Sequence, residues 1–152
     1  MTAVAPSPRL AVRAVIVQGG RLLIVNAYPG EESDLWCAPG GGVERGQSLH
    51  DNLMREIREE LDLTIAVAEP CLVNEFQDPG TGFHQVDVYF RAQIVAGSPQ
   101  PGWVDAAGVV NRHRFVTEAA LRALRFKPDS LPQVAFGGRG HILYDPLEEI
   151  VR

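Results

Sequence analysis

Three consecutive glycines, Gly40–Gly42, precede a segment whose apolar residues recur at helical spacing. At about 100° per residue, Leu49, Leu53, Met54, Ile57 and Leu61 share one arc. The spacing predicts an amphipathic helix over residues 48–61. Ser48 is a suitable N-cap, and Asp51 three residues on makes a weaker relative of the capping box. Glu56, Glu59 and Glu60 fall on an adjacent arc that overlaps the edge of the apolar one. They therefore belong at the boundary between core and surface. Arg55 lies beyond Glu59, away from the apolar face.

The rest of the chain reads mainly as strands around this element. Residues 9–18 and 21–26 are apolar and rich in β-branched residues, and Gly19-Gly20 splits them as a hairpin turn would. Residues 27–34 read as a loop and Leu35-Trp36 as the start of a short strand that runs into a glycine loop. After the helix, residues 63–76 read as a strand interrupted at Glu69-Pro70. Asp78 to Gly82 reads as a turn, and residues 83–95 alternate as a long strand. Residues 103–110 and 113–116 are short β candidates. Thr117 caps a second helix over residues 118–126, which Lys127-Pro128 ends. Residues 129–152 read as irregular, with a short strand near 142–144. Strands, a helix, strands and a second helix predict an α/β (α+β) architecture, a mixed sheet with helices packed against it. Residues 1–8, small and proline-containing, are expected to form a flexible tail, and residues 9–152 a single domain.

Composition narrows the function classes. The chain has 152 residues and a formal net charge of −5, so a basic surface for polymeric nucleic acid is not expected. A small nucleotide remains allowed, because a bound metal offsets phosphate repulsion locally. No apolar run reaches membrane-spanning length, and the N-terminus lacks the pattern of a signal peptide. Cys37 and Cys71 have no metal-ligand spacing, and two free thiols in a reducing cytosol are expected. A cytoplasmic protein without membrane contact is the resulting expectation.

The chemistry concentrates at the glutamates. Residues at i, i+3 and i+4 share a helix face, and each like-charged pair there costs roughly 0.2–0.5 kcal/mol. An acidic face laced with arginine is ordinarily just solvated. A glycine run immediately upstream changes the reading, because glycines let the main chain approach a ligand closely. A hard divalent cation such as Mg²⁺ takes carboxylate oxygens together with substrate phosphates.

The whole segment from Gly41 to Leu63 resembles the Nudix box, G-x5-E-x7-R-E-U-x-E-E-x-G-U, with U a bulky aliphatic. Gly41 takes the first position, Arg55-Glu56-Ile57 the R-E-U, Glu59-Glu60 the E-E, and Leu63 the last aliphatic. Gln47 stands where the box has a glutamate, and Asp62 where it has its late glycine. The surrounding strands suit the Nudix αβα sandwich.

The resemblance implies Mg²⁺- or Mn²⁺-dependent hydrolysis of a pyrophosphate bond in a nucleoside diphosphate linked to another moiety. The alternative is a Nudix-fold nucleotide-binding or sensor module with weak hydrolysis or none. It implies Glu56, Glu59 and Glu60 as metal ligands with the Gly40 carbonyl. Glu56, Glu59 and Arg55 become catalytic candidates, with Glu56 as the base and Arg55 holding a glutamate in place. Gly41, Gly42 and Gln47 are the substrate-binding candidates. Gln47 brings no charge, so weaker metal affinity is expected. Asp62 tolerates the left-handed conformation that the family glycine adopts. A homodimer is implied as for many members of the family.

Outside the box, Glu75, Asp78 and Asp87 could join the metals but read as solvent-facing. His84 reads as structural or solvated. Tyr28, Trp36, Phe76, Phe83 and Trp103 include candidates for stacking a base, with core packing expected for most. Arg112, His113 and Arg114 read as a polar strand edge.

Overall fold

A computed structural model describes residues 7–100 and 108–152. Most of the expected N-terminal tail, and residues 103–107 of one expected strand, lie outside the described residues. Ser7 and Pro8 are exposed and belong to no element.

The hairpin at Gly19-Gly20 forms, but it is only two residues deep. Val17–Gln18 (β2) pairs antiparallel with Arg21–Asn26 (β3). Both turn glycines have positive φ, 60° and 74°, which favours a residue without Cβ. Arg9–Val15 (β1) leaves for another sheet, where Ala11, Val12, Ala14 and Val15 are all buried. A strand covered on both faces belongs in a sheet interior and not in a two-stranded ribbon.

Trp36–Cys37 (β4) pairs with β3, and the glycine run is itself a strand, Gly40–Gly42 (β5), antiparallel to β1. The expected loop is thus corrected: the glycines extend along the edge of β1 and pair with it. Leu49–Leu61 (α1) follows, and Ser48 Oγ accepts the Asp51 N–H at 3.0 Å, as expected. Leu53, Ile57 and Leu61 are buried at 0–3% exposure. Each such side chain contributes about 1.5–3 kcal/mol.

Thr64–Asp78 (β6) and Phe83–Ala96 (β7) make a long antiparallel pair. The Glu69-Pro70 interruption appears as register shifts on either side of Pro70 and not as a break. β7 also runs parallel to β1, with Ala11 opposite Asp87 and Arg13 opposite Tyr89. His113–Val116 (β8) adds to β3. Glu118–Arg122 (α2) is capped by Thr117 but is shorter than expected. Residues 125–127 are drawn to β4 instead: Trp36 N–H donates to Arg125 O, and Lys127 N–H to Trp36 O.

Leu131–Phe136 (α3) is a helix where irregular chain was expected; at six residues its periodicity is too short to read. Leu143–Tyr144 (β9) fits the expected strand, and Glu148–Glu149 (β10) was missed. Both pair in parallel with the free edge of β6.

The result is a mixed sheet in the order β10-β6-β7-β1-β5 and a smaller antiparallel one built on β3. α1 closes one core with Val12, Ala14 and Phe90, and α2 and α3 close a second with Leu22, Ile24 and Leu72. β3 feeds both, Leu23 and Val25 to the first, Leu22 and Ile24 to the second. No helix among the described residues is long and apolar enough to cross a membrane.

Asp62 ends α1 at φ 55°, ψ 39°, with its N–H on Arg58 O at 3.0 Å. It is the non-glycine residue with positive φ among the described residues. Its ion pair with Arg58 is solvent-exposed and contributes little. Asp62→Gly is therefore expected to raise stability by about 0.5–1 kcal/mol, read as the midpoint of chemical unfolding.

Candidate active site

β5 and α1 meet at the glycines. Gly40 N–H donates to Glu60 Oε2 at 3.2 Å in a buried position. A Cβ on Gly40 would stand 1.9 Å from the Val12 carbonyl oxygen, and one on Gly41 2.3 Å from Glu56 Oε2. One on Gly42 would meet the Arg9 guanidinium at 2.5 Å. The glycines are a strand and not a loop, yet they are needed for the anticipated reason: carboxylate and guanidinium groups lie directly on the backbone.

Arg55 is the hub beside them. It donates to Glu56 Oε1 at 3.0 Å and Asn52 Oδ1 at 2.8 Å, and lies 3.5 Å from Glu59 and 3.7 Å from Glu44. Asn52 is wholly buried. Its Oδ1 also accepts the Glu44 N–H, and its Nδ2 donates to the carbonyls of Gln47 and Ser48. One side chain thus ties the approach loop, the start of α1 and Arg55 together.

Glu56, Glu59, Glu60 and all three glycines line a cleft of about 330 Å³. Gln47 does not line it. Its exposed amide donates to Glu44 at 3.3 Å, and the further carboxylate beside Arg55 is that of Glu44. The cleft continues past Arg9, Arg13 and Cys37 into an adjoining cavity of about 240 Å³. Tyr28, Phe76 and Phe83 line that second half. Trp36 lines neither half; Arg112 and Arg114 lie over its ring, 5.5 and 5.7 Å from the centroid. These arginines clamp a side chain and are not merely a polar edge. Trp103 lies outside the described residues.

Among the acidic candidates beyond the box, Asp87 was expected to face solvent and instead is 2% exposed, lining the aromatic half. It shares a face of β7 with Gln85 and Tyr89, and all three are buried, while Val86 and Val88 on the other face are half-buried. Glu75 accepts from the Tyr144 hydroxyl and stands 3.7 Å from His84, away from the cleft. Asp78 caps its turn through Gly80 N–H and pairs with Arg152. Sequence reading overlooked Arg9, Arg13, Glu44, Asn52 and Gln85. A signal existed for the two arginines: four residues apart on an apolar strand, they share one face.

Burial pushes the Glu56 carboxyl above its ordinary range, against the pull of Arg55. Among the described residues no three His, Cys, Asp or Glu side chains converge as a ready-made metal cage. Glu56 is turned to Arg55, and Glu60 to the Gly40 N–H. The all-oxygen donor set nevertheless fits a hard divalent ion.

Both cysteines are free. Burial pushes each thiol up to about 11. At pH 8 the thiolate share is then about one in a thousand, although Cys37 lines the cleft. A disulfide-exchange reagent is expected to titrate both thiols far more slowly in the native protein at pH 8 than after unfolding.

The NUDIX domain model matches residues 7–135. The chain belongs to the NUDIX family. Similar to this Nudix chain is the ADP-ribose pyrophosphatase of Methanocaldococcus jannaschii, 24% identical over 129 residues, covering 85% of this chain and 68% of that one. The putative ADP-ribose pyrophosphatase YjhB of Bacillus subtilis is 24% identical over 100 residues, 64% of this chain. The chain spans only 47% of the length of that relative. Among solved structures, a UDP-X diphosphatase superposes with a TM-score of 0.70 at 24% identity, covering 93% of this chain and 69% of that one. The mixed α+β Nudix fold expected from the sequence is thereby borne out.

Proposed function

We propose that this Nudix chain hydrolyses a pyrophosphate bond in a nucleoside diphosphate linked to a second moiety, with Mg²⁺ or Mn²⁺ bound. One observation carries the reading. Three glutamates of one helix face and three glycines of one strand wall the same cleft, which opens into an aromatic half. Glu56, Glu59 and Glu60, with the Gly40 carbonyl, would hold the metal. When bound, it would supply charge neutralisation at the phosphoryl oxygens and a more acidic water.

The protein's own residues supply the rest. Glu56 accepts a proton from the attacking water. Arg55 orients it through the 3.0 Å bond. Gly41 and Gly42 let the phosphates lie against bare backbone. Arg9 and Arg13 stand between the two halves of the cleft, where the phosphate next to the nucleoside would lie. The names of the two curated relatives favour an ADP-ribose-type substrate. The two free thiols suit a cytoplasmic location, and residues 9–152 form one domain in this reading.

Incubation with Mg²⁺ or Mn²⁺ and a panel of ADP-ribose, nucleotide sugars and nucleoside triphosphates tests the reading. A nucleoside monophosphate is expected from at least one diphosphate-linked substrate. Tight binding without turnover across the panel would mark a sensor module instead.

A further inference from the structure

The aromatic half of the cleft contains a carboxylate that the proposed chemistry does not use. Asp87 is 2% exposed and its neighbour on the same strand face, Gln85, is 1% exposed. A chain of contacts fixes both. Arg9 Nη1 donates to Gln85 Oε1 at 2.6 Å, which sets the amide, and Gln85 Nε2 donates to Asp87 Oδ1 at 2.8 Å. Arg13 Nε lies 3.6 Å from the same Oδ1. Among the described residues no hydrogen bond reaches Asp87 Oδ2.

Several nearby donors are committed elsewhere, while Arg13 Nε, beside Oδ1, has no hydrogen-bond partner of its own among the described residues. Asn74, directly opposite Asp87 in the sheet, gives its amide to Asp145 and Glu148. Arg13 Nη1 gives to the Ala38 carbonyl. Lys127 is held by Asp129 and Glu148. Asp87 lines the cavity, so a ligand donor entering it meets an acceptor that no donor among the described residues fills. An ionised carboxylate only accepts, so the polarity of the ligand group follows.

We propose that Asp87 is a specificity-determining residue whose second oxygen accepts a hydrogen bond from an N–H or O–H donor of a nucleoside stacked among Tyr28, Phe76 and Phe83. The donor is the base amine or the ribose 2′-hydroxyl. The inference rests on the proposed function in treating the aromatic half as the nucleoside side. Asp87 touches the nucleoside and not the reacting phosphate. Its replacement therefore changes which nucleotide binds, and not how the bond breaks.

The test is calorimetric titration without metal, which reads binding apart from turnover. The probes are ADP, the diphosphate of purine riboside, which lacks the amine, and 2′-deoxy-ADP. Wild-type protein is expected to bind ADP about tenfold more tightly than one of the two analogues, a loss typical of a charged hydrogen bond. The analogue that weakens identifies the donor. Asp87→Asn presents either an N–H or a weaker neutral acceptor at that point, and it is expected to bring ADP and the weakened analogue within about twofold of each other.

Equal wild-type binding of all three probes overturns the proposal without any variant, as does failure of ADP to bind. So does a folded Asp87→Asn protein that keeps the wild-type preference. Hydrolysis of the substrate panel is read separately. Turnover alongside equal probe binding removes the assignment of Asp87 and leaves the proposed function standing.

Discussion

Glu59→Gln and Glu60→Gln are each expected to lower kcat/KM by roughly 10²–10³-fold, because metal-supplied stabilisation is typically several kcal/mol and each 1.36 kcal/mol is a tenfold change. Both changes keep shape and volume and remove one negative charge. Glu60 Oε2 accepts the Gly40 N–H at 3.2 Å, and a glutamine carbonyl accepts the same bond. The Glu59 carboxylate is half exposed, so its replacement leaves no buried group stranded. The thermal midpoint is therefore expected to stay near wild type while activity falls. Raising the Mg²⁺ concentration is expected to recover part of the loss, which a purely structural defect would not show. Steady-state rates over a metal titration, with circular dichroism as the folding control, check both halves.

Asn52→Leu is expected to cost about 3–4 kcal/mol of stability. The side chain is wholly buried and makes bonds in two directions, to Glu44 N–H and Arg55 on one side and to the Gln47 and Ser48 carbonyls on the other. Leucine fits the volume but leaves several buried polar groups without partners, at about 1–3 kcal/mol each where water cannot reach them. At roughly 2–4 °C per kcal/mol for a chain of this size, the thermal midpoint falls by about 10 °C. Activity is expected to fall as well, because Arg55 loses the acceptor that positions it beside Glu56. Differential scanning calorimetry reads the first effect, and kcat measured well below the lowered midpoint reads the second.

α1 was legible because its cap, stripe and length all agree, and the box spacing then located the carboxylates. The left-handed Asp62 followed from the same pattern. Long-range pairing was not legible. Nothing local distinguishes β1 from a hairpin arm, and only the burial of both its faces sends it between β5 and β7. The glycine run read as a loop because its partner strand is nearly thirty residues earlier in the chain. Asp87 read as solvent-facing for a related reason: alternation on a strand says which residues share a face, and not whether that face meets water. Glu44 and Asn52 carry no signature of their own, since their roles arise from convergence on Arg55.

Phosphorus NMR of the reaction in ¹⁸O-labelled water tests the central claim most directly. With ADP-ribose or a nucleotide sugar and Mg²⁺, the proposed cleavage at a pyrophosphate bond converts the diphosphate signals into two phosphomonoester signals. One of the two carries the isotope shift, and neither product appears when a chelator is present. Diphosphate signals that persist across the panel with metal present would contradict it.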